Sequence, residues 1–485
     1  MSEGVAVRRR TFFTSSAALA GAAATIGLTS TPANAFEGDH LTAAERADAR
    51  RPDTIAARQR IFGVENVDSE TGLLPRDRVV ASWTSNSSFA LAVGGRVIFL
   101  DTFITRLEVI RGRTPLVIKD LVDVAPRAIV LGHGHFDHAE NAAYVAAKTG
   151  APLYASEETC GVMRSDFERM RNDPAIQNDP VARIPGDAVL NLVPVTTTDS
   201  TPGTQILRLN FLEPFAQVVA FRHLHSVATP YDPTYPRNSL IPPDGVLPVD
   251  PRDATLFPPG IPLRPSNPPR PGQMNLGTGV GISGPGAAVA IFYHITLRTG
   301  SNLSLAWQDT IGALREGKGS AWPDGTPADG KRLTDILNKM APVDVFSAAV
   351  GTANFLTNGL RDLIDYQQAL QPRMFIPNHQ TTGGAGVGET QSVEQYAIYL
   401  QQLRDMNVPQ SEWADNRWTA DPFDYLKPLV FDASTPDATT HERRRAQLRY
   451  FDRFQYAEDV RRRGGDQAMP AAPAVSSEPT DEACF

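Results

Sequence analysis

The 485-residue sequence predicts an α/β domain in which helices cover packed sheets. A short apolar run at 128–131 leads into a histidine-bearing loop, and a helical segment from 139 to 148 follows, with Gly150 placed to end it. This succession of strand, loop and helix is typical of layered α/β domains. Hydrophobic residues make up 41% of the chain and charged residues 21%, as in folded globular proteins with a sizeable core.

The first 35 residues have the pattern of an export signal. Three arginines at 8–10 precede Phe12-Phe13, a mild apolar stretch at 17–28 and the small-x-small site Ala33-Asn34-Ala35, so we expect cleavage before Phe36. The arginines and phenylalanines together resemble the twin-arginine signal, whose export machinery carries folded proteins. We therefore expect a secreted or periplasmic protein. A mitochondrial-type presequence or a disordered arginine-rich start is the alternative.

The net charge and the two cysteines limit which partners and which cross-links we expect. The net charge is −8, and residues 1–35 contribute three arginines against one glutamate, so the processed chain is near −10. This balance disfavours nucleic acid and anionic membranes as partners. No later window holds 18 uninterrupted apolar residues, so we expect no stable membrane span after processing. With only Cys160 and Cys484, a disulfide framework is not expected, and their pairing stays open.

The central part of the chain predicts several strands around a long insertion. A helical N-terminal flank covers 36–79, with a surface helix at 42–60, and the main domain covers 80–405. Fourteen of the 39 prolines fall between Pro230 and Pro271, so 226–285 is predicted to be an inserted loop or lid, with an inert surface loop as the alternative. Predicted strands lie at 88–93 and 96–100, a hairpin about Gly94-Gly95, and at 205–211, 217–225, 287–296, 303–307 and 374–376.

The C-terminal part is predicted to be a helical extension over 406–463, followed by a disordered tail over 464–485. A basic helix at 442–463 carries Leu448, Phe451 and Phe454 on one side. We expect this side to pack on the domain while the arginines face solvent, and contact with a membrane surface is the alternative.

The chemistry of the chain centres on residues 132–138. This loop holds three of the nine histidines, His133, His135 and His138, with Asp137 directly before the last of them. Imidazole and carboxylate are ligands that zinc accepts well, and iron or manganese with less selectivity. Gly134 allows a sharp turn, so that two of the histidines can face one ion while Asp137 and His138 face a second. The pattern therefore predicts a site for two divalent metal ions.

A His-x-His-x-Asp-His loop after an apolar strand resembles the signature of the metallo-β-lactamase superfamily. The resemblance, which covers about 80–400, implies a four-layer αββα sandwich. It also implies that Asp101, at the end of a strand, orients a ligand histidine from behind. A third histidine for the first metal is implied near the end of the strand at 217–225. His225 matches this position, and His223 on the same face remains an alternative.

The same resemblance supplies the last two ligands. Asp309 in Gln308-Asp309-Thr310 matches the aspartate that bridges the metals, although Gln308 replaces the glycine usual in the family. His379 in Pro377-Asn378-His379 matches the histidine that completes the second metal. The implied ligand set is His133, His135, His225, Asp137, His138, Asp309 and His379.

The function implied by this resemblance is hydrolysis. Two divalent metals, zinc before manganese or iron, would hold a water and lower its pKa, and the bridging hydroxide would attack an ester, lactone or phosphodiester-type bond. Asp137 would be both a ligand and the catalytic group that orients the nucleophile or takes its proton. We expect a small-molecule or lipid-like substrate. The alternatives are a β-lactamase, an iron-dependent sulfur dioxygenase-type oxidoreductase, and a non-catalytic metal-binding protein.

Overall fold

The computed structural model describes most of the chain. The described residues are 41–104, 116–227, 287–298, 300–350, 360–379, 392–408, 415–416, 426–435 and 440–463. The predicted signal at 1–35, nearly all of the insertion at 226–285, the tail at 464–485 and Cys484 lie outside these residues, so the structure does not bear on them. Cys160 is fully buried. Among the described residues, no helix has the length and apolar character needed to cross a bilayer.

In the part of the chain that the structure describes, two seven-stranded mixed sheets form the centre. In the first sheet the spatial order is β14-β1-β2-β3-β4-β5-β6, and in the second it is β13-β12-β11-β10-β9-β8-β7. The first sheet contains β1 (Arg78–Ser85), β2 (Ser88–Val93), β3 (Arg96–Leu100), β4 (Ala128–Val130), β5 (Leu153–Ser156), β6 (Leu192–Thr196) and β14 (Leu429–Asp432). The second contains β7 (Ile206–Leu209), β8 (Ala216–Arg222), β9 (Ile291–Leu297), β10 (Ser304–Trp307), β11 (Val345–Ala349), β12 (Met374–Asn378) and β13 (Asp415–Asn416).

The helices cover the outer faces of the sheets. They are α1 (Ala43–Ala49), α2 (Pro52–Phe62), α3 (Ile118–Asp123), α4 (Phe136–Ala139), α5 (Ala142–Thr149), α6 (Glu157–Asn172), α7 (Pro174–Gln177), α8 (Pro327–Met340), α9 (Arg361–Leu370), α10 (Ser392–Asp405), α11 (His441–Phe451) and α12 (Ala457–Arg463). On the first sheet, α2 lies against β1, and the Ser82 hydroxyl donates to the carbonyl oxygen of Ile61 at 2.5 Å. On the second sheet, Leu333, Leu363 and Tyr399 of α8, α9 and α10 pack into one apolar cluster.

The two faces of strand β8 pack against different layers of the molecule. Its residues Val218 and Ala220 belong to the apolar cluster that also contains Trp83 of the first sheet, whereas Val219 and Phe221 belong to the cluster under the helices. Successive side chains of a strand point to opposite faces, so one face of the second sheet meets the first sheet and the other meets helices. The predicted αββα order of layers is therefore confirmed.

The terminal segments differ from their predictions. The surface helix predicted at 42–60 is two helices, α1 and α2, because Pro52 starts a new helix, and Ile61 and Phe62 are fully buried. The C-terminal extension is not wholly helical, because β14 pairs antiparallel with β1 as an edge strand of the first sheet. The predicted helix at 442–463 is two helices, α11 and α12, although Leu448 and Phe451 are buried as predicted.

Strand direction places several carboxyl ends at one edge of each sheet. β1 runs parallel in direction to β3, because each is antiparallel to β2, and β3 is parallel to β4. By the same reasoning, β8 runs in the direction of β10, which is parallel to β11, as β11 is to β12. Residues just after β1, β3, β4, β8, β10 and β12 therefore lie at these two edges, where α/β proteins commonly form their sites.

Arg298, just after β9, links two distant parts of the chain. Its guanidinium donates to Glu213 at 2.7 and 2.8 Å and to Asp452 at 2.6 and 3.0 Å, and all three side chains are largely buried or half-buried. Without it, both carboxylates lose these charged hydrogen bonds, and Asp452 keeps one from Arg208 at 3.1 Å. We expect Arg298→Ala to lower the free energy of unfolding by about 2 kcal/mol, measured by urea denaturation, since hydrogen bonds to charged groups contribute roughly 1.5–3 kcal/mol.

The matched control is Lys331→Ala, which removes an exposed ion pair with Asp335 on helix α8. Such exposed pairs four residues apart contribute roughly 0.3–0.5 kcal/mol. Equal losses of unfolding free energy in the two variants would show that the Arg298 contacts do not tie the C-terminal helices to the sheet.

Candidate metal centre

The histidine-rich loop turns sharply between β4 and α4. His135 is the residue before the first turn of α4, with extended backbone, whereas Asp137 and His138 lie inside that turn. The change from extended to helical backbone directs His133 and His135 to one side and the next two polar side chains to another. His133, Asp137 and His138 are at most 5% exposed. The loop therefore presents two separate sets of donors in a nearly dry environment.

The first group of donors consists of His133, His135 and His225. His133 Nε2 and His135 Nδ1 are 2.8 Å apart, and the ring of His225 is 4.7 Å from that of His133 and 5.0 Å from that of His135. One ring nitrogen from each residue lies within 4.8 Å of the others, so the three can bind one metal ion.

The second group consists of Asp137, His138 and His379. Nε2 of each histidine lies 3.4 Å from Asp137 Oδ2. His379 directly follows β12, so its ring comes from the second sheet, while Asp137 and His138 come from the first. This group can bind a second ion.

Asp309, two residues after β10, lies between the two groups. Its Oδ2 is 2.8 Å from His133 Nδ1 and 3.2 Å from His138 Nδ1, and the side chain is fully buried. Asp309 thus contacts one histidine of each group, and with His133 and His138 it forms a further set of donors close enough to bind an ion. Its role as a bridging ligand stays a prediction.

Asp101 contacts two residues of the histidine-rich loop, His138 and Gly132. Its Oδ2 is 2.7 Å from His138 Nδ1, and its Oδ1 accepts a hydrogen bond from the Gly132 amide at 3.0 Å. A carboxylate at Nδ1 leaves Nε2 of His138 available to a metal. Asp101 has a positive φ of 57°, unusual for a residue other than glycine, so the backbone is strained at this point. Burial, followed by the charge of Asp309, raises the pKa of Asp101 to about 7.

The electrostatics of the site favour cations. Burial lowers the pKa of His135 to about 4 and that of His225 to about 3, so both rings are neutral near pH 7 and have a lone pair to offer. Burial opposes the charge of Asp137, but the surrounding histidines, His138 first, hold its pKa well below the usual range. For His138, burial is outweighed by the charges of Asp137, Asp309 and Asp101, which raise its pKa well above the usual value.

Three buried atoms in the site have no hydrogen-bond partner among the described residues: Asp137 Oδ1, His138 Nε2 and Asp309 Oδ1. Leaving a buried polar atom unpaired costs about 1–3 kcal/mol. All three belong to the groups that can bind metal. The residues present therefore fit the two metal ions predicted from the sequence, because bound ions and a water that they hold would satisfy these atoms.

The structure distinguishes the two histidines that the sequence left as alternatives. β8 ends at Arg222, so the alternation of faces does not continue through His223 and His225. His223 packs against Phe292 and Tyr366, with its Nδ1 3.5 Å from the Tyr366 hydroxyl, and it belongs to neither donor group. The structure places His225, and not His223, beside His133.

The sequence analysis missed Asn86, in the turn between β1 and β2. Its Nδ2 donates to the carbonyl oxygen of Asp137 at 2.9 Å and to Asp137 Oδ2 at 3.0 Å. Its own carbonyl oxygen accepts from the amide of His379 at 3.2 Å. In the sequence, the run Thr84-Ser85-Asn86-Ser87-Ser88 is marked only as a polar stretch between two apolar ones, and the structure shows that all five residues are buried. Five consecutive buried polar residues require partners, and here some are metal-site residues.

Comparison with known proteins gives a partial likeness. No protein-family profile matches the chain. A segment of 89 residues, 18% of the chain, is 32% identical to a protein of Myxococcus xanthus (strain DK1622) described as a UPF0173 metal-dependent hydrolase. The match spans 29% of that relative, so the chain covers less than a third of its length.

Solved structures show a weak overall likeness. Igni18, a metallo hydrolase of the archaeon Ignicoccus hospitalis KIN4/I, aligns over 73% of this chain and 98% of its own, at 13% identity and a TM-score of 0.38. CmlA, a diiron β-hydroxylase of Streptomyces venezuelae, aligns over 74% and 54%, at 11% identity and 0.34. YhfI, a metallo-β-lactamase fold protein of Bacillus subtilis, aligns over 68% and 93%, at 9% identity and 0.31. At these TM-scores, the likeness adds no argument to what the strands and side chains of this chain show.

Proposed function

We propose that the chain is a metal-dependent hydrolase of the metallo-β-lactamase type that uses two divalent cations. The observation that carries the proposal is the convergence of two donor groups, joined by Asp309, at the edges of the two sheets. Nitrogen and oxygen donors without cysteine suit zinc, manganese or iron, and we favour zinc. The name of the Myxococcus relative, a metal-dependent hydrolase, agrees with this chemistry.

The residues of the site would have separate roles in hydrolysis. When bound, two such cations supply Lewis-acid catalysis, because they acidify a water and neutralise the charge that develops on the substrate. Asp137 Oδ1, buried and unpaired, is the atom that we assign to orient the attacking water and receive its proton. Asn86 holds the other oxygen of the same carboxylate. Asp309 and Asp101 keep the rings of His133 and His138 in place.

For the substrate, we propose a small or lipid-like molecule with an ester, lactone or phosphodiester-type bond. The support for this class is the resemblance of the donor loop and the attack by water that a two-metal site favours. A β-lactam is the alternative within the same chemistry.

The first experiment is elemental analysis of the purified protein together with turnover of an ester, a lactone, a phosphodiester and a β-lactam. We expect close to two zinc ions per chain and hydrolysis of one class. We also expect a strong chelator to abolish turnover and zinc to restore it, because the proposed chemistry needs the bound ions.

Three other results would contradict the proposed hydrolase activity. Bound iron with consumption of oxygen would replace hydrolysis by an oxidoreductase activity. Two metals with no turnover of any class would favour a metal-binding protein. No metal after reconstitution would exclude the proposed function altogether.

A further inference from the structure

We propose that each metal-binding group has its own hydrogen-bonding support outside the ligand set: Asn86 for the group of Asp137, His138 and His379, and Ser320 for the group of His133, His135 and His225. This inference rests on the proposed metal site and goes further, because it assigns separate positioning residues to the two ions. Neither Asn86 nor Ser320 belongs to a donor group.

Asn86 contacts the second group at two points. Its side-chain amide donates to both the main-chain oxygen and Oδ2 of Asp137, and its main-chain oxygen accepts from the amide of His379. The amide thereby fixes Oδ2, the oxygen that lies 3.4 Å from Nε2 of both His138 and His379. Asn86 has a positive φ of 46°, which asparagine and glycine adopt more readily than other residues. The turn that places the amide here therefore suits this residue type.

Ser320 contacts the first group. Nδ1 of His225 lies 2.9 Å from the carbonyl oxygen of Ser226 and 2.8 Å from the Ser320 hydroxyl. A carbonyl oxygen can only accept, so Nδ1 carries the proton and Nε2 is left as the metal-binding atom. The hydroxyl of Ser320 then accepts from the same N–H and fixes the plane of the ring.

The loop that carries Ser320 is itself tightly held against His225. A Cβ on Gly319 would lie 2.8 Å from the main-chain oxygen of His225 and 2.9 Å from its nitrogen, so only glycine fits there without a shift. The buried guanidinium of Arg222 donates to the carbonyl oxygen of Ala321 at 2.8 Å and lies over the ring of Trp322. These contacts fix the position of the hydroxyl. The position of Ser320 beside His225 is therefore fixed by the packing of its neighbours in the chain.

The test measures zinc affinity in two single-site backgrounds. His225→Ala leaves the Asp137 group intact, and His379→Ala leaves the His225 group intact. We expect Asn86→Gly to weaken zinc binding roughly 10- to 100-fold in the His225→Ala background and less than about threefold in the other, since residues behind metal ligands typically contribute that much. Ser320→Ala should give the reverse pattern. Zinc affinity is measured by chelator competition on the full-length chain.

Two control variants come from the turn after β9 and from the first residue of β10. Asn302 is a buried asparagine with a positive φ of 53°, and its Nδ2 donates to the Leu297 carbonyl oxygen at 3.0 Å. Ser304 Oγ lies 2.6 Å from Nε2 of His294, a buried histidine outside both groups. Asn302→Gly and Ser304→Ala should leave zinc affinity unchanged, and thermal unfolding in chelator should show that Asn86→Gly and Ser320→Ala fold as well as these controls.

The outcomes separate the two proposals. Wild-type chain that binds no zinc overturns the proposed function and this inference together. Two zinc ions in the wild type, with unchanged affinities in Asn86→Gly and Ser320→Ala, overturn the inference alone. Equal weakening of both sites by either substitution overturns the assignment of separate supports.

Discussion

Replacing Asp137 by asparagine is expected to lower turnover roughly 10²- to 10⁴-fold, the usual contribution of a positioned acid–base group. The substitution keeps the shape of the side chain and removes its negative charge. The neutral amide cannot receive a proton from water, and it binds a cation more weakly than the carboxylate, whose Oδ2 is 3.4 Å from His138 Nε2. The measurement is the turnover number on the substrate class identified in the first screen, with metal content determined on the same sample.

Metal content separates the two roles of Asp137. Loss of one ion with loss of turnover fits its place in the second group, and retention of both ions with the same loss of turnover assigns the effect to the proton. Asp335→Asn, on the exposed face of α8, is the matched control and should keep full turnover. A variant at Asp137 within a few-fold of wild type would contradict its catalytic role.

The second large effect is expected from Gly132→Ala. A Cβ at this position would lie 2.1 Å from Cγ and Oδ2 of Asp309, far inside contact distance. The backbone cannot retreat easily, because the Gly132 amide donates to Asp101 and its carbonyl oxygen accepts from the Ile291 amide at 2.7 Å. Asp309 must therefore leave its place between the donor groups. We expect turnover to fall more than about 100-fold, since residues that only support ligands already account for roughly 10- to 100-fold.

Gly186→Ala is the control for this substitution. Gly186 is exposed, and a Cβ there meets nothing within 4 Å, so stability and turnover should not change. Zinc content and turnover are measured for both variants. Normal zinc content in Gly132→Ala would mean that Asp309 does not bind metal from its observed position.

The sequence predicted the local parts of the fold best. The hairpin of β2 and β3 was predicted with its observed bounds, because the two apolar runs and the Gly94-Gly95 turn between them are both local signals. β14 was missed because it is a four-residue edge strand with every second residue exposed, and its partner β1 lies far away in the sequence. Only the tertiary fold brings these segments together.

The candidate site shows the same division. The loop at 132–138 could be recognised from the sequence, because its donors are neighbours in the chain. The choice of His225 over His223 depended on where β8 ends, and strand ends are poorly marked in sequence. Asn86 was missed because an isolated asparagine in a polar turn looks like any turn residue. Its role appears only when Asp137, 51 residues later, folds against it.

The pairing of β1 with β14 also bears on the order in which the molecule can be completed during synthesis. β1 receives β2 within a few residues, but its other edge stays open until the ribosome has delivered Leu429–Asp432. An open strand edge exposes unpaired amides and carbonyls to any neighbouring chain, which favours association between nascent molecules. β14 is therefore added to the first sheet, which carries Asp101 and the histidine loop, only after every other described strand has been made.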